Sequence, residues 1–149
     1  MALTIFTDGA AFGNPGPMGI GVVIYRDGKK VAEMSEYIGN GTNNVAEYTA
    51  VMRALEYARE SGDKEVHVKS DSQLVVRQLN GEYKVRDEKL KTLKRKIDSL
   101  REGMSVRFEH IPRERNEEAD ALSKEAAETG KKAGKEAKRI GQQKLQVFL

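Results

Sequence analysis

Short runs of alternating or clustered apolar residues occupy the first forty positions of this chain, and helical spacing takes over afterwards. Residues 2–8 read as a short apolar strand closing on a carboxylate, Asp8, and Gly19 to Arg26 read as a second strand. Asp27-Gly28 is a hairpin signal, which sets a third strand from about Lys30 to Ile38. The turn-rich break Gly39 to Asn44 precedes Val45, Tyr48, Met52 and Leu55 on one helical face, and Gly62 stops that run. Glu65 to Lys69 alternates as a fourth strand leading straight into Ser70-Asp71-Ser72 and a short helix to Leu79, broken by Asn80-Gly81. A long basic helix is expected from Asp87 to Arg101, with Leu90, Leu93, Ile97 and Leu100 as its apolar stripe. Met104 to Ile111 makes a fifth strand, and Asn116 to about Thr129 a last core helix. Hairpin-linked strands followed by strands alternating with helices predict an α/β fold: one five-stranded mixed sheet, antiparallel first and parallel later, flanked by helices.

Composition narrows the class without naming it. At 149 residues the chain fits one domain with a core that needs no staples. There are no cysteines, which excludes disulfides and thiolate metal sites and fits a reducing compartment. The N-terminus has no basic, long apolar leader, and no segment reaches the ~18 apolar residues of a membrane span. A soluble, cytoplasmic protein with no membrane contact is the expectation.

Charge adds a second signal. The net charge is +3, yet residues 131–149 carry six Lys/Arg against one acid, Glu136, and Lys84 to Arg101 carry eight bases against three acids. Two basic zones on a body with an acidic remainder suit a polyanion such as nucleic acid, or else a solvated lysine-rich helix face. Residues 1–130 read as the compact unit and 131–149 as a basic extension, with Lys144 to Leu149 as an added strand or an apolar anchor.

Four acids stand at element ends or first turns: Asp8, Glu47, Asp71 and Asp120. Each has a plain structural explanation. Asp8-Gly9 fits a turn, Glu47 a capping box with Asn44, Asp71 a cap on the following helix, and Asp120 an ion pair with Lys124. Their joint placement offers another account. Ends of neighbouring strands and the starts of helices meet at one sheet edge, and four converging carboxylates repel unless cations neutralise them. Hard oxygen ligands without thiolates favour Mg2+ or Mn2+, and a pair of such ions suits phosphodiester hydrolysis.

Four blocks then carry a family resemblance: Thr7-Asp8-Gly9-Ala10 with Gly13-Asn14-Pro15-Gly16-Pro17; Thr42-Asn43-Asn44-Val45-Ala46-Glu47; Ser70-Asp71-Ser72-Gln73-Leu74-Val75; and Arg115-Asn116-Glu117-Glu118-Ala119-Asp120-Ala121-Leu122-Ser123. In this order, over residues 3 to about 127, they resemble type 1 ribonuclease H. The resemblance implies the ribonuclease H-like fold and metal-dependent cleavage of the RNA strand of an RNA–DNA hybrid, leaving 3′-hydroxyl and 5′-phosphate ends. It implies that Asp8, Glu47, Asp71 and Asp120 hold two Mg2+ or Mn2+ ions when substrate is bound. It also implies that Asn14, Asn43, Asn44 and Gln73 read the minor groove and that Thr42 holds a DNA phosphate. Neutral amides suit that task, because they meet base edges and 2′-hydroxyls alike.

The chain departs from the family pattern in three places. The loop that carries a histidine in many members is reduced to Pro112-Arg113-Glu114-Arg115, and His110 falls within the fifth strand; Arg113 becomes the candidate for the released phosphate, or a surface charge. One helix replaces the extra basic helix and loop of some members, which leaves Lys89, Lys94, Arg95 and Lys96 as generic phosphate contacts. No separate N-terminal hybrid-binding domain is read. The short connection and the C-terminal extension resemble the archaeal-type branch, and a monomer without an obligatory protein partner is expected. Two other readings stay open: a catalytically silent hybrid- or double-strand-binding module, and a related nuclease that also acts on double-stranded RNA.

Overall fold

The computed structural model describes residues 2–133 and 143–147. Strands β1 (Ala2–Ala11), β2 (Gly16–Arg26) and β3 (Lys29–Gly41) form an antiparallel meander, followed by helix α1 (Asn43–Ser61). Then come β4 (Glu65–Ser70), α2 (Gln73–Leu79), α3 (Glu88–Leu100), β5 (Ser105–His110), a 3-10 turn over Arg113–Arg115, α4 (Glu117–Ala133) and β6 (Gln143–Val147). The sheet order is β5-β4-β1-β2-β3-β6, with β1–β4 and β4–β5 parallel and the other neighbours antiparallel. The five expected strands are present in the expected directions. A sixth, β6, pairs antiparallel with β3 from Ala32↔Val147 to Glu36↔Gln143, so backbone groups on that edge of β3 find partners.

One face of the sheet presents Leu3, Ile5, Ile20, Val22, Ile24, Met34, Val66 and Val68 to Tyr48, Val51, Leu55, Val75, Leu90 and Ile97 of α1, α2 and α3. This is the main core. The side chain of Asp87 caps α3 by accepting from Lys89 N–H and Leu90 N–H. The opposite face receives α4, and there the sequence uses glycine for a steric reason. A Cβ on Gly19 would lie 2.2 Å from Ser123 O, and one on Gly21 would lie 2.1 Å from Ala119 O, so the backbone of α4 rests directly on β2.

Several element boundaries differ from expectation. β1 does not end at Asp8 but runs on to Ala11, because β2 keeps pairing with it as far as Ala11↔Met18. Asp8-Gly9 is therefore not a turn; the turn is at Asp27-Gly28, with φ of 53° and 78°. β4 leaves earlier. Its last partner on β1 is Thr7, opposite Ser70, so the two parallel strands part company just before Asp8. A crevice at the carboxyl ends of parallel strands, where the chain changes direction across the sheet, is a general position for a binding site in α/β proteins.

Candidate active site

Asp8 enters that crevice from β1, opposite Gly21 on β2, and is 5% exposed. Glu47 arrives from the other layer, on the second turn of α1, and its Oε1 accepts the Gly9 N–H at 2.9 Å. This contact demands glycine: a Cβ on Gly9 would sit 2.3 Å from the carbonyl carbon of Ala46. Asp71 follows β4 directly. Ligand oxygens of Asp8, Glu47 and Asp71 all lie within 4.8 Å of one another.

Asp120, on the first turn of α4, is set slightly apart from this trio. It still meets Asp8 side chain to side chain, and its Oδ2 pairs with Lys124 at 3.0 Å. The ion pair with Lys124 expected from spacing therefore coexists with the approach to Asp8.

Burial and mutual repulsion both act on these acids. Burial is the main influence on Asp8, pushing its carboxyl up to about 7; the Ser123 hydrogen bond opposes the rise, and the charges of Asp71 and Asp120 add to it. Burial, then Asp8 and Asp71, raise the Glu47 carboxyl well above its ordinary range, opposed by the Gly9 N–H and the Arg113 guanidinium. Clustered carboxylate oxygens, from two buried acids and the half-buried Asp71, with no thiol or imidazole among them, fit a hard divalent cation such as Mg2+ or Mn2+.

A row of amides borders the acids. Ala11 N–H donates to Asn43 Oδ1 at 2.8 Å, and Asn43 N–H donates to Asn14 Oδ1 at 3.2 Å, so the β1–β2 tip is tied to the start of α1. Both contacts use amide oxygens, leaving the Nδ2 groups as donors for a ligand. Asn44 and Gln73 stand on the first turns of α1 and α2, and Gln73 is exposed.

Two caps differ from expectation. Thr42, not Asn44, caps α1, with Oγ1 accepting from Val45 N–H at 3.2 Å; Glu47 reaches across to β1 instead of back to its own cap. Ser72, not Asp71, caps α2 by accepting from Val75 N–H at 3.3 Å, which leaves the Asp71 carboxylate clear of any capping task. Arg113 is exposed on the 3-10 turn, and His110 ends β5 as expected, also exposed.

Known proteins resemble this chain in sequence and in fold. The profile of the family described as reverse transcriptase-like matches residues 6–126. Ribonuclease HI of Halobacterium salinarum is 42% identical over 123 residues, covering 81% of this chain and 62% of its own length. The crystal structure of RNase H1 from the same halophilic archaeon superposes with a TM-score of 0.83 at 40% identity, covering 87% of this chain and 99% of that one. The chain belongs to the type 1 ribonuclease H family. A further ribonuclease H relative, LC11-RNase H1 in complex with an RNA/DNA hybrid, is 48% identical with a TM-score of 0.81, covering 85% of this chain and 97% of that one.

Within this ribonuclease H fold, two polar residues escaped the reading of the sequence. Ser123, wholly buried on α4, places Oγ 2.6 Å from Asp8 Oδ2 and 2.9 Å from the Asp120 carbonyl. Asn116, 1% exposed, donates from Nδ2 to the Thr7 carbonyl and to Asp71. In the sequence they flank Asp120 in the fourth block without a role of their own; their burial and partners supply it.

A pH prediction follows from Asp8. Its folded pKa of about 7 lies above the ordinary 3.8, so the folded protein keeps a proton that the unfolded chain releases. That stabilisation is fully present below about pH 4 and is lost as pH rises through about 7. The chelator-treated wild type should lose of the order of 2–4 kcal/mol over this window relative to Asp8→Asn, and Mg2+ should restore more stability at pH 8 than at pH 5. Parallel thermal melts of the two proteins across pH check the sign. A gap that narrows as pH falls agrees; a constant gap does not.

Proposed function

We propose that this ribonuclease H family member hydrolyses the RNA strand of RNA–DNA hybrids, leaving 3′-hydroxyl and 5′-phosphate ends. The observation that carries the reading is the clustering of Asp8, Glu47 and Asp71 beside the tied amides of Asn14 and Asn43. Asp8, Glu47 and Asp71, with Asp120 at their edge, would hold two Mg2+ or Mn2+ ions once substrate is present. When bound, these ions supply an activated water and neutralise charge on the phosphate and the departing 3′-oxygen.

The chain's own residues do the placing. Asn14, Asn43, Asn44 and Gln73 offer neutral amides to the minor groove, where 2′-hydroxyls mark the RNA strand. Thr42 Oγ1 uses an acceptor position in capping α1, so its O–H proton remains to hold a DNA phosphate. Arg113, whose charge already reaches Glu47, takes the place of a loop histidine near the released phosphate. A pure binding module would gain nothing from unneutralised carboxylates where phosphates must lie, so the silent-module reading loses to the nuclease.

Cleavage of matched RNA–DNA, RNA–RNA and DNA–DNA duplexes with Mg2+ and with Mn2+ tests this. Hybrid cutting at internal ribonucleotides is expected, no cutting of any hybrid removes the proposal, and cutting of RNA–RNA would widen the substrate class. Residues 1–130 are the proposed catalytic unit, acting as a monomer in the cytoplasm. Among the described residues no helix is long and apolar enough to cross a membrane. The basic extension 131–149, with six Lys/Arg, is proposed to add phosphate contacts. Deleting it should then flatten the slope of log K against log salt by up to about one per lost contact. An unchanged slope, measured by hybrid binding in Ca2+, would assign the extension a structural role only.

A further inference from the structure

Asn116 makes four contacts at the point where the acidic elements converge. Its Nδ2 donates to the Thr7 carbonyl at 2.9 Å and to Asp71 Oδ2 at 3.3 Å. Its carbonyl accepts from Asp120 N–H at 3.0 Å, and its own N–H donates to the Arg113 carbonyl at 2.9 Å. One residue therefore touches β1 immediately before Asp8, the side chain of Asp71, the turn of helix that carries Asp120, and the turn that carries Arg113.

The orientation of the amide follows from its neighbours. A backbone carbonyl and a carboxylate only accept, so the NH2 group must face them. Asn116 Oδ1 is then directed elsewhere and has no hydrogen-bond partner among the described residues, although it is buried. A buried amide oxygen without a partner detracts from stability. The contribution of this side chain thus lies on its Nδ2 side.

That side has a particular chemistry. A Lys or Arg in the same place would hold Asp71 more strongly, but would cancel the negative charge that attracts a cation. A neutral amide restrains one carboxylate oxygen and leaves the charge intact. The tether to the Thr7 carbonyl also fixes the donor to the strand whose next residue is Asp8, so one carboxamide sets the spacing between two acids.

We propose that Asn116 is a positioning residue for the divalent-cation site: its Nδ2 holds the Asp71 carboxylate in the orientation in which it would meet the ion. This rests on reading the acidic cluster as a cation site. Metal-binding carboxylates held by a hydrogen-bonding neighbour typically lose about 10–100-fold in affinity when the neighbour is removed.

The test is Mn2+ binding, followed by calorimetry and by electron paramagnetic resonance on the full chain without nucleic acid. Wild type, Asn116→Ala and Asn116→Asp are compared with Ser35→Ala, which removes a buried bond from α4 to β3 (Ser35 Oγ to the Leu122 carbonyl, 2.8 Å) without touching the acids. Asn116→Ala should bind Mn2+ about tenfold or more weakly, with the Mg2+ requirement for hybrid cleavage moved up in proportion, while Ser35→Ala stays within about twofold of wild type. Folded Asn116→Ala that binds within twofold of wild type overturns the proposal. Wild type that binds no Mn2+ overturns the cation-site reading beneath it, a different result.

Should Asn116→Ala fail to fold, amide exchange in 15N-labelled wild type decides. The Asn116 carboxamide protons should exchange slowly with and without Mg2+, and rapid exchange in the Mg2+ form overturns the proposal.

Discussion

Replacing Asp71 by Asn should abolish hybrid cleavage while leaving the fold intact. Ser72, not Asp71, caps α2, and the Asp71 side chain is only partly buried, so no element depends on its charge for its shape. What the substitution removes is one ligand oxygen's charge from a cluster whose members lie within 4.8 Å of one another. Loss of about 4 kcal/mol of transition-state stabilisation, the order expected for one ligand of a catalytic ion, lowers the rate about a thousandfold. Stability should move the other way. The charge of Asp71 raises both Asp8 and Glu47, so its removal relieves repulsion in the metal-free protein and the melting temperature should hold or rise. Single-turnover cleavage and a chelated thermal melt, run on the same preparation, check both halves. Wild-type-like turnover in Asp71→Asn would sink the assignment of the acids.

The largest stability loss is expected from Gly21→Ala. The new Cβ would lie 2.1 Å from Ala119 O, 2.8 Å from Ser123 N and 2.9 Å from the Leu122 Cβ. The first two are backbone atoms of α4, so no rotamer change relieves the clash, and the helix must move off the sheet. Overpacking of this kind costs about 3 kcal/mol or more, roughly 10 °C in melting temperature for a domain of this size. Activity should fall further than the folded fraction, because α4 carries both Ser123, which bonds Asp8, and Asp120. Gly28→Ala is the matched comparison: its φ of +78° strains an alanine, yet nothing lies within 4 Å of the added carbon. That variant should lose about 1 kcal/mol and keep full specific activity. Equal losses in denaturant titrations of the two variants would contradict the close approach of α4 to β2.

The alternation of Glu65 to Lys69, the helical spacing from Val45 to Leu55 and the Asp27-Gly28 turn were legible because their causes are local. The joint reading of Asp8, Glu47, Asp71 and Asp120 came from four sequence blocks taken together, and the structure draws the first three into one cluster with Asp120 beside Asp8. The turn that Asp8-Gly9 offered as an alternative is absent, because the same dipeptide serves equally where a helix must approach a strand. There, glycine is required by Ala46 and Glu47, which lie far along the chain. Gly19 and Gly21, alternating in a strand, did hold a readable signal of close backbone approach. Asn116 and Ser123 lie in the block that carries Asp120, but their roles were not legible, because their partners are 109 and 115 residues away.

The bond from Ser123 to Asp8 also bears on the order in which the chain is made. A polypeptide leaving the ribosome presents Asp8, Glu47 and Asp71 well before α4 exists, and contacts that span most of the sequence form late. Until then Asp8 lacks Ser123, Asp71 lacks Asn116, and the carboxylates repel one another without the scaffold that holds them together. A truncated product ending before α4 would carry three of the four acids yet be unable to cut. The proposed nuclease activity of the full chain is therefore expected to be the last property to appear during synthesis and the first lost when α4 lifts away.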